Sequence, residues 1–186
     1  MFSLSDDEDS FEWRRKPTEP YIRPRAVLWL PGQALEFTIL ILRQYRQLEA
    51  ACFWYGVRDR AENGLVKAVI APFQINRRGN YHIPSESVSA VSAATRPDGL
   101  VCLSQVHSHP GSLVEHSSYD DDNASSQTIL SVVIPTYGRW HGRWPKGVGV
   151  HECQNAYWHQ LSDIDAAQRV QLSPKPDPVT LIDLRK

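Results

Sequence analysis

Asn63 and Gly64 stand between two apolar runs, "ACFWYGV" (51–57) and "LVKAVIAPF" (65–73), and no other feature restricts the fold so tightly. A short loop carrying Asn-Gly, flanked by aromatic and β-branched residues, predicts a β-hairpin. A hairpin joins antiparallel strands, so the sheet containing it cannot be purely parallel. Around it the chain alternates between the two periodicities. Residues 26–30 form an apolar run that ends at Pro31 and Gly32 and reads as a strand. "ALEFTILILRQYRQLE" (34–49) places Leu35, Ile39, Leu42 and Tyr45 on one helical face, widened by Phe37, Ile41 and Leu48, and predicts a largely buried helix. "SESVSAVSAATR" reads as a second helix with Val88, Val91 and Ala94 inward and Ser85 or Ser87 as its cap. "GLVCLSQV", "TILSVVIPTYG" and "GVGVHECQNAYWHQL" each read as a strand, the last turning away at its end. The expected class is α/β, a mixed β-sheet flanked by helices.

A single domain is expected over residues 23–186, closing with the proline-rich and then briefly apolar extension "SPKPDPVTLIDLRK". Residues 1–22 are expected to be a flexible tail, because acidic "SDDEDS" and basic, proline-interrupted "RRKPTEP" have little to bury. The 41% hydrophobic content of the 186-residue chain suffices for a core. It contains no apolar stretch of about eighteen residues and no secretory signal, so no membrane is expected. Twenty basic against 21 acidic residues leave no electrostatic footprint for nucleic acid. Cys52, Cys102 and Cys153 are odd in number and far apart, without a C-x-x-C pair. They read as small buried hydrophobes in a reducing cytoplasm.

The chemistry concentrates in "QVHSHPGSLVEHSSYDDDNASS" (105–126). On a strand, His107 and His109 share one face. Pro110 and Gly111 end that strand, and Ser117 is a good cap for a following helix. Asp120 then lies in the first turn, where its carboxylate can swing back toward the imidazoles. Ser118 and Asp121 repeat the same S-x-x-D spacing one residue later. Two imidazole nitrogens and one carboxylate, with a position left open, form the donor set of a catalytic zinc site. The remaining polar residues have plainer readings. His116 is expected to face solvent, and Asp121 and Asp122 to be solvated charges favoured by the helix dipole. His151 and Cys153 read as core packing, while His82, His141 and His159 carry no spacing signal. Tyr137, Trp140 and Trp144 crowd one loop, either as packing over the sheet edge or as a platform for a protein substrate. "NRRGNYH" is then a second wall of that groove.

"HSHPGSLVEHSSYD" resembles the core of the JAMM motif, also called MPN+: H-x-H-P followed at fixed spacing by S-x-x-D. "EAACFWYG" is similar to the family's upstream element, supplying Glu49 and, seven residues on, Gly56. The resemblance spans roughly residues 25–160 and implies a JAMM/MPN fold, a cytidine-deaminase-like α/β sandwich. It implies one Zn²⁺ per chain held by His107, His109 and Asp120, with Glu49 as general base and Ser117 binding the oxyanion. Asp120 is preferred to Asp121 because the family spacing then needs no gap. The implied activity is that of a zinc-dependent isopeptidase or peptidase cleaving after the C-terminus of a ubiquitin-like protein. The compact domain resembles the bacterial deubiquitinase-like branch, several members of which belong to antiphage conjugation systems. The implied partners are a ubiquitin-like protein and its conjugates, with no nucleic acid and no membrane. Two alternatives stay open: a non-catalytic MPN-type scaffold, and a metallohydrolase of a sulfur-carrier pathway.

Overall fold

The computed structural model describes residues 17–124 and 126–186. In chain order the elements are β1 (Leu28–Leu30), α1 (Gly32–Gln44), β2 (Ala51–Arg58), β3 (Gly64–Pro72), β4 (Ile75–Asn76), β5 (Tyr81–His82), α2 (Ser85–Thr95), β6 (Val101–Ser108), α3 (Ser118–Asn123), β7 (Leu130–Ile134), β8 (Gly149–Gln154), β9 (Tyr157–Gln160), α4 (Asp163–Arg169), β10 (Val170–Leu172) and β11 (Thr180–Leu184). One nine-stranded sheet has the order β10-β1-β3-β2-β6-β7-β8-β9, and β11 also pairs with β3. The sheet is mixed: β2 is antiparallel to β3 and β6, whereas β6 and β7 are parallel. This is the α/β class expected from the sequence. None of the described helices is long and apolar enough to cross a membrane.

The β2–β3 hairpin forms, but Asn63 and Gly64 do not make its turn alone. The Asp59 carboxylate accepts from the backbone N–H of Ala61 and Asn63 and from the Asn63 side-chain amide. Glu62 takes the left-handed backbone conformation, at φ 63°. Gly64 serves packing instead, since a Cβ there would stand 2.8 Å from Leu28 Cδ1. Gly56 lies beside a bulge in β3, where Lys67 is left between the Tyr55–Ala68 and Gly56–Val66 pairs, and its missing Cβ would lie 1.9 Å from the Leu65 carbonyl oxygen.

Neighbouring residues of one strand face opposite sides, which divides the core in two. Trp54 and Val69 pack with Ile41 and Leu42 of α1. Phe53 and Ile70 pack on the other side with Val91 of α2. Trp54 donates its indole N–H to Thr38 Oγ1 at 2.8 Å, which in turn donates to the Ala34 carbonyl. α1 is shorter and less buried than its pattern suggests. It ends at Gln44, Arg46 turns left-handed, and Leu40 and Leu48 are exposed. In α2 the residue preceding the first turn is Pro84, with no serine side-chain cap, and Val88 lies outside.

The expected single strand at 147–161 is a hairpin. Asn155 and Ala156 both have positive φ, 51° and 59°, as a two-residue turn of the primed type requires. α4 was not anticipated, although Ser162 caps it by accepting from Asp165 N–H. The sheet curls until its ends meet. Arg169, beside β10, donates to both carboxylate oxygens of Glu152 on β8, and the Trp144 indole donates to the Val170 carbonyl. Within the segment expected as a tail, residues 1–16 lie outside the described residues. Tyr21 donates its hydroxyl to Glu152 at 2.6 Å, and Ile22 N–H donates to the Gln154 side chain.

Candidate metal centre

The sheet topology brings the site together. Because β2 and β6 are antiparallel, the end of β6 lies beside the start of β2, with Ala51 opposite His107. The pairing continues one residue further, where Ser108 N–H donates to the Ala50 carbonyl at 3.0 Å. Directly opposed residues, and residues two apart, share one face of a sheet. His107, His109, Ala51 and Glu49 therefore belong to the same face. Glu49 is 5% exposed. Its N–H donates to the Arg77 carbonyl and its own carbonyl accepts from the Asn76 amide, both at 2.7 Å, so the β4–β5 ribbon clamps its backbone. Beyond β6, His109 N–H donates to Ile134 and Tyr137 N–H donates to His109, which ties the strand end to β7 and the turn after it.

Asp120 comes from the crossover between β6 and β7. Ser117 caps α3 with a reciprocal box: its hydroxyl oxygen accepts from Asp120 N–H, and the Asp120 carboxylate accepts from Ser117 N–H. The Ser117 hydroxyl also donates to Asp120 Oδ2 at 2.7 Å. Asp120 Oδ1 lies 3.2 Å from His107 Nε2, and Oδ2 lies 3.3 Å from His109 Nε2. The two Nε2 atoms are 3.1 Å apart. The competing S-x-x-D register is used otherwise, because Ser118 is exposed and Asp121 turns toward His116.

These three side chains fit a metal ion. Each offers one ligand atom, and all three atoms lie within 4.8 Å of one another. Donors 3.1–3.3 Å apart are spaced for a common ion with bonds of about 2.0–2.2 Å. His109 Nδ1 lies 3.2 Å from the Leu113 carbonyl, which can only accept. Nδ1 therefore carries the proton and Nε2 presents its lone pair to the cluster, the usual outer support of a metal-bound histidine. His107 Nδ1 is buried without a partner among the described residues, which leaves Nε2 as the ring's polar contact. Burial pushes the His107 imidazole below its ordinary value, keeping it neutral and able to donate a lone pair. Burial alone would raise the Asp120 carboxyl, but the His107 and His109 rings, when they carry a proton toward it, hold it well below the usual carboxylate range. Glu49 shares this neighbourhood. Tyr81 is raised well above an ordinary phenol, first by burial and then by the Asp120 and Glu49 charges.

Among the described residues the thiols form no comparable centre. Burial pushes the Cys52 and Cys102 thiols up to about 12, so neither is a thiolate at neutral pH. Cys52 is buried as expected, whereas Cys102 and Cys153 are half-buried.

Two positions, His116 and Asp121, differ from their sequence readings. His116 is fully buried, not solvent-facing, and contacts Asp121 Oδ1 at 2.9 Å and Ser131 Oγ at 2.8 Å. Asp121 is accordingly half-buried and engaged. His151 is buried, as packing required, and donates to the Val114 carbonyl at 2.8 Å. Ser131 was missed, although one hydroxyl inside the apolar run "TILSVVI" was a visible signal. Trp144 packs 6.1 Å from Trp54, and Trp140 donates to the Lys146 carbonyl, so both indoles serve packing of their loop. Tyr137 reaches across to donate to the Arg78 carbonyl.

A curled mixed sheet that gathers two histidines and an aspartate at the end of a central strand defines a metal-binding α/β domain. The chain belongs to the prokaryotic homologs of the JAB domain, whose family model matches residues 38–145. It is 33% identical over 97 residues to a Sinorhizobium fredii protein named as a probable metalloprotease. That match covers 49% of this chain, and the chain spans only 59% of the relative's length. The fold is similar to the solution structure of a Desulfitobacterium hafniense protein, with TM-score 0.60, 19% identity and coverage of 80% of this chain and 94% of that one. A Salinibacter ruber protein is also similar, with TM-score 0.55, 14% identity and coverage of 82% and 95%.

Proposed function

We propose that the chain is a zinc-dependent peptidase or isopeptidase that cleaves after the C-terminus of a ubiquitin-like protein, in a bacterial conjugation system of the antiphage kind. The observation that carries the catalytic part is the convergence of His107 Nε2, His109 Nε2 and Asp120, with the His109 tautomer set by Leu113. Membership of the JAB-domain family and the relative's name support the same reaction class. The substrate class rests on the resemblance of H-x-H-P, S-x-x-D, Glu49 and Gly56 to the JAMM pattern. A complete donor set with an acid beside it speaks against a non-catalytic scaffold.

On this reading His107, His109 and Asp120 hold the ion, and a bound zinc supplies Lewis acidity that polarises a carbonyl and acidifies water. Glu49 accepts a proton from the attacking water at its carboxylate and returns it to the leaving amine nitrogen. Ser117 steadies Asp120 and lends its hydroxyl to the developing oxyanion. A flexible C-terminal tail lies extended along an exposed strand edge, with its last carbonyl at the centre.

The test is incubation of zinc-loaded protein with fusions in which bacterial ubiquitin-like proteins are joined through their last glycine to a peptide. Cleavage after that glycine, abolished by 1,10-phenanthroline and restored by zinc, is expected. Fusions that all stay intact contradict the substrate, and chelator-resistant cleavage contradicts the metal.

A further inference from the structure

We infer that His116, with Asp121 and Ser131, is a positioning unit that sets Asp120 for metal binding. The inference rests on reading His107, His109 and Asp120 as the ligand set.

The helix carrying Asp120 cannot hold itself in place. α3 has six residues, too few to be stable alone. Asp120 is its only fully buried residue, and half-buried Tyr119 is tied to the core through its hydroxyl, which donates to the Tyr81 carbonyl at 2.9 Å. Its position must come from polar links. Successive residues of a helix point about 100° apart. Asp120 faces His107 and His109, while Asp121 faces His116. The Tyr119 hydroxyl holds the helix to Tyr81, and the Asp121–His116 link adds a hold at another azimuth, next to the ligand, that helps to fix the rotation of Asp120.

His116 is well placed to transmit that constraint. Asp121 as a carboxylate can only accept, so His116 Nδ1 donates to it and Nε2 accepts from the Ser131 hydroxyl. Ser131 lies on β7, next to β6 in the sheet. The ring thus bridges α3 to the strand beside the histidine ligands. It stacks on His151 with centroids 3.8 Å apart and planes 17° apart. His151 in turn donates to the Val114 carbonyl. Gly149 lets that loop lie directly on β8, since a Cβ there would come within 2.3 Å of Val114 O. Freed of this support, Asp120 would keep its local bonds to Ser117 but lose a link that sets its helix against the sheet. Loss of outer supports of metal ligands typically lowers affinity by about 10–100-fold.

The experiment titrates metal-free native protein, Asp121→Ala, His116→Ala and His116→Gln with Co²⁺, following visible d–d absorption. Far-UV circular dichroism and melting report folding. Native protein is expected to take up Co²⁺ with a tetrahedral-type spectrum. Asp121→Ala and His116→Ala should bind roughly 10–100-fold more weakly with a changed band. His116→Gln, which keeps a donor and an acceptor, should recover most of the affinity. Asp121 is half-buried, so its variant carries the test if His116→Ala fails to fold. A folded Asp121→Ala with native affinity and spectrum overturns the positioning role while the ligand set stands. Native protein that takes up no Co²⁺ overturns the ligand set, and the positioning role with it.

Discussion

On the proposed mechanism, Glu49 is the residue that separates metal binding from turnover. It lies on the same sheet face as the histidines, and its backbone is held by Arg77 and Asn76. Glu49→Gln keeps the size and removes the base, so metal content should stay native while the rate of peptide cleavage falls by about 10²–10⁴. Cleavage kinetics beside elemental analysis of one preparation check this; a variant that cleaves at the native rate removes Glu49 from the mechanism. His107, His109, Ser117 and Asp120 were legible as neighbours because the strand period of two and the capping spacing are local rules, whereas Glu49 was placed with them only by the resemblance to the JAMM pattern. His116 was not. Its partners Asp121 and Ser131 lie on different elements, and a loop histidine has no periodicity to betray burial.

At the scale of elements, the missing Cβ of Gly56 lets β2 pass between β3 and β6. An added methyl would meet the Leu65 carbonyl and Leu103 Cδ1 at once, and the former is backbone that cannot step aside. Gly56→Ala should destabilise the fold by about 1–3 kcal/mol. The melting temperature should drop by about 2–4 °C for each of those kcal/mol, which differential scanning calorimetry can read. An unchanged melting temperature would mean that the strand relaxes freely there. Most element types were readable from apolar periodicity, α4 excepted, and their ends were not. The pattern of α1 runs on to residue 49, but Arg46 takes a left-handed turn that releases Glu49 into the extended chain. The β8–β9 turn escaped notice because Asn155 is followed by Ala156 and not by glycine.

At the scale of the whole molecule, the sheet closes on itself through Arg169 and Glu152, a link between segments far apart in strand order that no local pattern announces. Arg169 also donates to the Ala26 carbonyl, and Tyr21 donates to Glu152. Removing the guanidinium strands a poorly solvated carboxylate, so Arg169→Ala should lose about 3–5 kcal/mol in a denaturant titration. The Arg169→Ala, Glu152→Ala double variant should lose less than the two single losses added together, and strict additivity would mean that the pair is not coupled. The same curled sheet brings residues from β6 and α3 to one point, where the chain is read as holding a single ion. The most direct test is elemental analysis of the native protein beside His109→Ala after dialysis against metal-free buffer. One zinc per native chain, lost in the variant, is the expected result; native protein with no more zinc than the variant contradicts it.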